Sequence, residues 1–247
     1  MTDRPPTLLV LAASTYQLDA IRTARRLGYR VITVDNVPSN PGHALADRSY
    51  NVDTTDLEGV LRTARAEQIS GILAACTDVA VPTAAHVAQA LGLSGLPLAS
   101  AQVLTSKIQF RNFLAEQEMP SPKSLSVGPD FVPAAGLFSA QSWIMKPDRS
   151  SGCKGTFIVE TEDEFRRRLP ETLAFSPKRA ILEEFIHGHQ GTCEGVLKDG
   201  RVGLEFFLDR QTPPTPYVTT IGNYYPSTLP KQADGDCGHR SSRFFAR

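Results

Sequence analysis

Lys146 closes the short apolar run Trp-Ile-Met and is followed by Asp148, Arg149, Ser150, Ser151, Gly152, Cys153, Lys154, Gly155 and Thr156. A small, cationic, glycine-bearing loop of this kind can turn backbone N–H groups and positive charge toward an anion, phosphate above all. The same composition suits a solvated turn between two strands. Some thirty residues on, Glu183 and Glu184 end another apolar run and lead through Phe185 and Ile186 into Gly-His-Gln-Gly-Thr-Cys-Glu-Gly, Gly188 to Gly195. In a strand, Glu194 would share a face with Thr192. A further lysine, Lys107, lies in the helical stretch SKIQFR, where its ordinary role would be a surface charge. His187 and His189 form an H-x-H without a third ligand nearby, and the cysteines at 76, 153, 193 and 237 make no C-x-x-C, so neither set reads as a metal centre.

These residues need a scaffold, and the first hundred residues supply half of one. Thr7–Ala12 and Arg30–Val34 are short apolar, β-branched runs separated by a helical pattern over Tyr16–Leu27 with Gly28 as its C-cap. Ser49–Val52 and Gly71–Ala75 read as two more strands, Asp56–Gln68 and Pro82–Leu91 as two more helices. Alternation of this kind predicts a parallel sheet with helices on both faces, and ligands beyond the carboxyl ends of its strands. Asp35 stands where a dinucleotide-binding fold places its ribose partner. Yet the first turn, Ala-Ala-Ser-Thr-Tyr-Gln, has no glycine to admit a pyrophosphate, which argues against NAD or flavin.

The pattern then changes. Ser100–Glu118 reads as a helical region ended by Pro120 and Pro122. Strands are predicted at Lys123–Val127, up to Lys146, at Thr156–Glu160 and at Arg179–Phe185, with a charged helix over Glu162–Leu173 and a hairpin over Thr192–Leu208 turning at Asp199-Gly200. The second half is thus an α+β, largely antiparallel unit. Lys+Arg 26 against Asp+Glu 26 leaves no net charge to attract nucleic acid or an anionic membrane. No apolar run reaches ~18 residues and no secretory leader is apparent, so a cytoplasmic protein acting on small molecules is expected.

The order lysine, Ser/Gly loop, acidic strand end and Gly-x-Gln-x-Thr-x-Glu-Gly resembles the ATP-grasp superfamily, whose members include biotin carboxylase and the amino-acid ligases. The segments QLDAIRTARRLGYRVITVD, ALADRSYNVDTTD and TDVAVPTAA are similar to the Rossmann-like pre-ATP-grasp domain of that family. The resemblance implies a pre-ATP-grasp domain over 1–103, an incomplete ATP-grasp domain over 104–230 with a lid at about 143–185, and ATP as the nucleotide. By the same carry-over, Lys107 and Lys146 reach the phosphates, and Ser151, Gly152 and Gly155 form the lid loop. Glu183 and the backbone of Glu184, Phe185 and Ile186 meet the adenine, Gln190 takes the place of the usual ribose-binding glutamate, and Glu194 lines the site. It implies a carboxylate activated as an acyl phosphate for attack by an amine or thiol, and a possible homodimer. Magnesium would be held by acids further along the chain. Here the sequence after Pro230 reads KQADGDCGHRSSRFFAR, without a helical period, so residues 231–247 are expected to be an aberrant tail and the magnesium ligands to be absent. On that reading, the alternative to a ligase is a truncated, non-catalytic remnant that binds ATP weakly.

Overall fold

The computed structural model describes residues 5–198 and 201–228. It opens with β1 (Thr7–Leu11), α1 (Leu18–Arg26), β2 (Arg30–Val34), β3 (Arg48–Tyr50), α2 (Leu57–Glu67), β4 (Gly71–Leu73) and α3 (Val81–Leu91). The four strands pair in parallel in the order β3-β2-β1-β4. Because such a sheet is covered on both sides, β1 and β2 are buried almost throughout rather than alternating. Leu9, Leu11, Ile32 and Val34 pack with Val60, Leu61 and Ala64 of α2 and Val87 of α3; Val10 and Val31 pack with Ile21 and Ala24 of α1 on the other face. Asp35 has no carboxylate oxygen left idle: it accepts from the Ala13 and Val37 amides at 2.7 and 2.8 Å and from Asn40 Nδ2 at 2.8 Å. Its role is to fix the turn beyond β1.

The predicted helical region over Ser100–Glu118 holds two helices, α4 (Leu98–Leu104) and α5 (Lys107–Glu116). The break has a local cause. Ser106 takes an extended conformation, and its hydroxyl accepts the Gln109 amide at 3.2 Å, which makes it the N-cap of a new helix rather than the interior of an old one.

Next comes an antiparallel sheet of β5 (Ser124–Val127), β6 (Trp143–Pro147), β7 (Phe157–Val159) and β8 (Ala180–Glu184), in the order β5-β8-β6-β7. Between β7 and β8 runs α6 (Glu162–Leu173), capped by Thr161 and carrying three acids in its first turn, where the helix dipole favours them. Phe165 and Leu169 of α6 pack on Trp143, Met145, Val159, Ala180 and Leu182, one face of the sheet. The Phe165 ring also meets Phe131 and Phe138 at centroid distances of 5.8 and 5.6 Å.

A third sheet, β9 (Gly191–Lys198), β10 (Arg201–Gln211) and β11 (Gly222–Tyr224), is antiparallel in the order β11-β10-β9. The predicted hairpin is present in its two strands; its turn residues lie outside the described residues, as does the expected tail over 231–247. A parallel α/β unit followed by antiparallel sheets is the expected fold class. Among the described residues no helix is long and apolar enough to cross a membrane.

Candidate functional site

The pleat of the β6/β8 pair decides which charged groups meet. On β6, Trp143, Met145 and Pro147 are buried and face α6, so Ile144 and Lys146 face the other way. Register places Ile144 opposite Glu183 and Lys146 opposite Ile181. Lys146 and Glu183 are therefore diagonal neighbours on one face. Lys146 Nζ lies 2.5 Å from Glu183 Oε2. Glu184 points to the opposite face and cannot join them, although it is adjacent in sequence.

Helix α5 covers this face. Lys107 and Arg111, one turn apart, project from the same side of it. Arg111 Nε donates to Glu183 Oε1 at 2.6 Å, so a carboxylate that is 2% exposed is clasped by two cations. Burial pushes the Glu183 carboxyl up, but the Arg111 hydrogen bond and the charge and hydrogen bond of Lys146 outweigh it and hold it below the usual carboxylate range. Lys107 Nζ donates to the Ser150 carbonyl at 3.0 Å. Burial first, and then repulsion from Lys146, lower its pKa, against the pull of Asp148, Asp78 and Glu183. Two lysines crowded together in a partly desolvated place, one of them destabilised as a cation, are electrostatically poised for an anion.

The loop after β6 joins two antiparallel strands, and it is also pinned to α5. Asp148 Oδ1 accepts from Ser106 Oγ at 2.7 Å and from the Ile108 amide at 3.0 Å, capping the helix that carries Lys107. Arg149 turns away to Thr105 Oγ1 and the Gln102 carbonyl at the end of α4. Ser151 and Gly152 are the untethered middle, while Gly155 is held, its carbonyl accepting from Thr172 Oγ1 at 2.9 Å. Both glycines have positive φ, +68° and +67°, but a Cβ on Gly152 meets open space whereas one on Gly155 would lie 2.6 Å from the Phe175 ring. Gly155→Ala should therefore cost on the order of 2–3 kcal/mol, combining backbone strain with a clash, and Gly152→Ala about 1 kcal/mol from strain alone. Urea denaturation of the two variants checks this; equal midpoints would contradict the packing assigned to Gly155.

The other predicted site residues are placed apart from the lysines. The Glu184 and Phe185 amides donate to the Lys123 and Ser142 carbonyls, both at 2.9 Å, which leaves Ile186, 64% exposed, as the segment's open backbone position. Gln190 is exposed, and its carbonyl accepts from the Arg210 amide at 2.8 Å. Glu194 lies on β9 opposite Phe206 and is exposed. Sequence reasoning missed three polar residues. Arg111 was detectable only as the i+4 companion of Lys107. Asp148 and Asp209 have distant partners and no local signature. Asp209, on β10, accepts from Ser227 Oγ at 2.6 Å, from the Thr228 hydroxyl and amide, and from His189 Nε2 at 3.1 Å, and those bonds, Ser227 first, hold its carboxyl well below the ordinary range.

Depressed carboxyl pKa values at Glu183 and Asp209 carry a sign for acid stability. Each contributes stability that is whole above the unfolded-state carboxylate pKa of about 4 and is lost as pH falls through the lowered folded value. Thermal melts of the wild type should therefore fall steeply below about pH 4, and those of Glu183→Gln less steeply. Parallel profiles would show that the carboxyl is not depressed.

A parallel α/β unit followed by antiparallel sheets is shared with solved ligases. The chain superposes on an L-amino acid ligase from Bacillus licheniformis with a TM-score of 0.78 at 17% identity, over 98% of this chain and 59% of that one. It superposes equally well in kind on N5-carboxyaminoimidazole synthetase from Staphylococcus aureus complexed with ADP, with a TM-score of 0.74 at 10% identity, covering 96% of this chain and 62% of that one. The chain has the fold of the ATP-grasp superfamily. By sequence, the chain is 29% identical over 186 residues to the formate-dependent phosphoribosylglycinamide formyltransferase of Burkholderia vietnamiensis, a match over 72% of this chain and 46% of that protein. No protein-family profile matches it. The chain spans about half the length of the curated relatives it matches.

Glu183 is occupied by Arg111 and Lys146, Asp148 caps α5, and among the described residues no three His, Cys, Asp or Glu side chains converge.

Proposed function

We propose that this chain carries the ATP-phosphate-binding part of a ligase that activates a carboxylate for attack by an amine or thiol. The observation that carries the reading is the convergence of Lys107 and Lys146 on one face of the β6/β8 sheet, beneath the Ser150–Gly155 loop. Lys146 would neutralise phosphate oxygens from the strand end. Lys107 would approach from the helix beneath, and the untethered Ser151 and Gly152 amides would close over them. Phosphoryl transfer asks mainly for such positioning and charge neutralisation. The Ile186 backbone, at the exposed end of the β8 segment, is offered as the adenine contact, with the Gln190 amide able to hydrogen-bond ribose hydroxyls. Glu183 serves this site chiefly through Lys146. The carboxylate and its acceptor belong to the whole ligase.

Nucleotide selectivity tests the reading. Equilibrium titration should show ATP bound more tightly than NAD, whose pyrophosphate has no glycine-rich turn after β1 to receive it. Tighter binding of NAD would overturn the assignment.

A further inference from the structure

We infer that Arg111 is a positioning residue for the phosphate site: it shares the charge of Glu183, so that Lys146 is held by that carboxylate without being neutralised by it. The inference rests on the reading of Lys146 as a phosphate contact. Its basis is the geometry of three side chains from three elements. Glu183, on β8, is fully enclosed and uses Oε1 for Arg111 and Oε2 for Lys146. Arg111 comes from α5, and Lys146 from β6.

The charge count makes the point. A lone Lys146–Glu183 pair would be electrically neutral, and an arriving phosphate would have to compete with a buried carboxylate for the lysine. It would also meet the field of that carboxylate. With Arg111 added the trio carries net positive charge, and the guanidinium sits on the far oxygen, drawing the carboxylate charge away from Lys146. Glu183 then aligns the ammonium group along the strand, and Arg111 keeps it available. Both cations are about three-quarters enclosed, at 23% and 24% side-chain exposure, so the balance is struck where water screens it only in part.

Charge rescue distinguishes this from a merely structural ion pair. ATP and adenosine are titrated against the full chain, Arg111→Ala, Arg111→Lys and the double variant Arg111→Ala/Glu183→Gln, with Lys146→Ala as reference. Arg111→Ala should weaken ATP about tenfold and leave adenosine unchanged. Arg111→Lys should recover most of the loss. The double variant removes the competing carboxylate charge as well, restores the net charge beside Lys146 and should bind ATP within about threefold of the wild type. Should Arg111→Ala not fold, the double variant and Arg111→Lys still decide the matter, because both are expected to bind ATP far more tightly than Lys146→Ala, with adenosine binding unchanged. The inference is overturned if ATP and adenosine weaken together, or if the double variant binds ATP no better than Lys146→Ala. Indifference of ATP binding to Lys146→Ala would instead overturn the proposed function itself.

Discussion

Glu183→Ala will destabilise the protein by about 3 kcal/mol, whereas Glu184→Ala will change stability by no more than about 0.5 kcal/mol. Removing the carboxylate leaves Arg111 and Lys146 facing each other, partly desolvated, with no counter-charge. Removing one partner of a buried pair costs about 3–5 kcal/mol, and the low end applies because both cations keep some contact with water. Glu184, half-buried on the other face, has no side-chain partner among the described residues. Thermal melts of the two variants, adjacent in sequence and one methylene-for-methylene alike, measure the contrast. Equal losses would mean that the β8 register, and with it the geometry of the site, is wrong.

Phe165→Ala will cost more, about 3–5 kcal/mol. Phe165 is 1% exposed, and with Leu169 it seats α6 on the β6/β8 sheet, touching Phe131 and Phe138 as well. Truncation would leave a cavity walled by rings and strand residues that cannot easily collapse into it. The face it supports is the back of the site, so the same variant should also weaken ATP binding. Chemical denaturation gives the stability term. A loss below about 1 kcal/mol would show that α6 is not seated as described.

The elements of the first sheet are legible in sequence because their signals are local: β-branched runs, a helical period, a glycine cap. β2 and α6 occur at the predicted residues, and most other boundaries move by one to three. The helical region over Ser100–Glu118 was legible but its division was not, since only the N-cap hydrogen bond of Ser106 marks where the second helix begins. β11 is three residues long and follows an irregular, proline-rich stretch, too short for a period to show. The site was legible in part. Lys107, Lys146 and Glu183 stand out by type and order, but what joins them does not. The Ile144–Glu183 register, the Arg111–Glu183 bond across 72 positions and the Asp148 cap across 40 are products of folding, and nothing within a window of sequence announces them.

The central claim, that the face shared by β6, β8 and α5 is built for the phosphates of ATP, is tested most directly by one isotherm. ATP binding to Lys146→Ala, measured beside the wild type at one ionic strength, should be weaker by on the order of 2 kcal/mol, about thirtyfold, because a desolvated charge-assisted partner has been removed. An ATP affinity unchanged by the substitution would contradict the account.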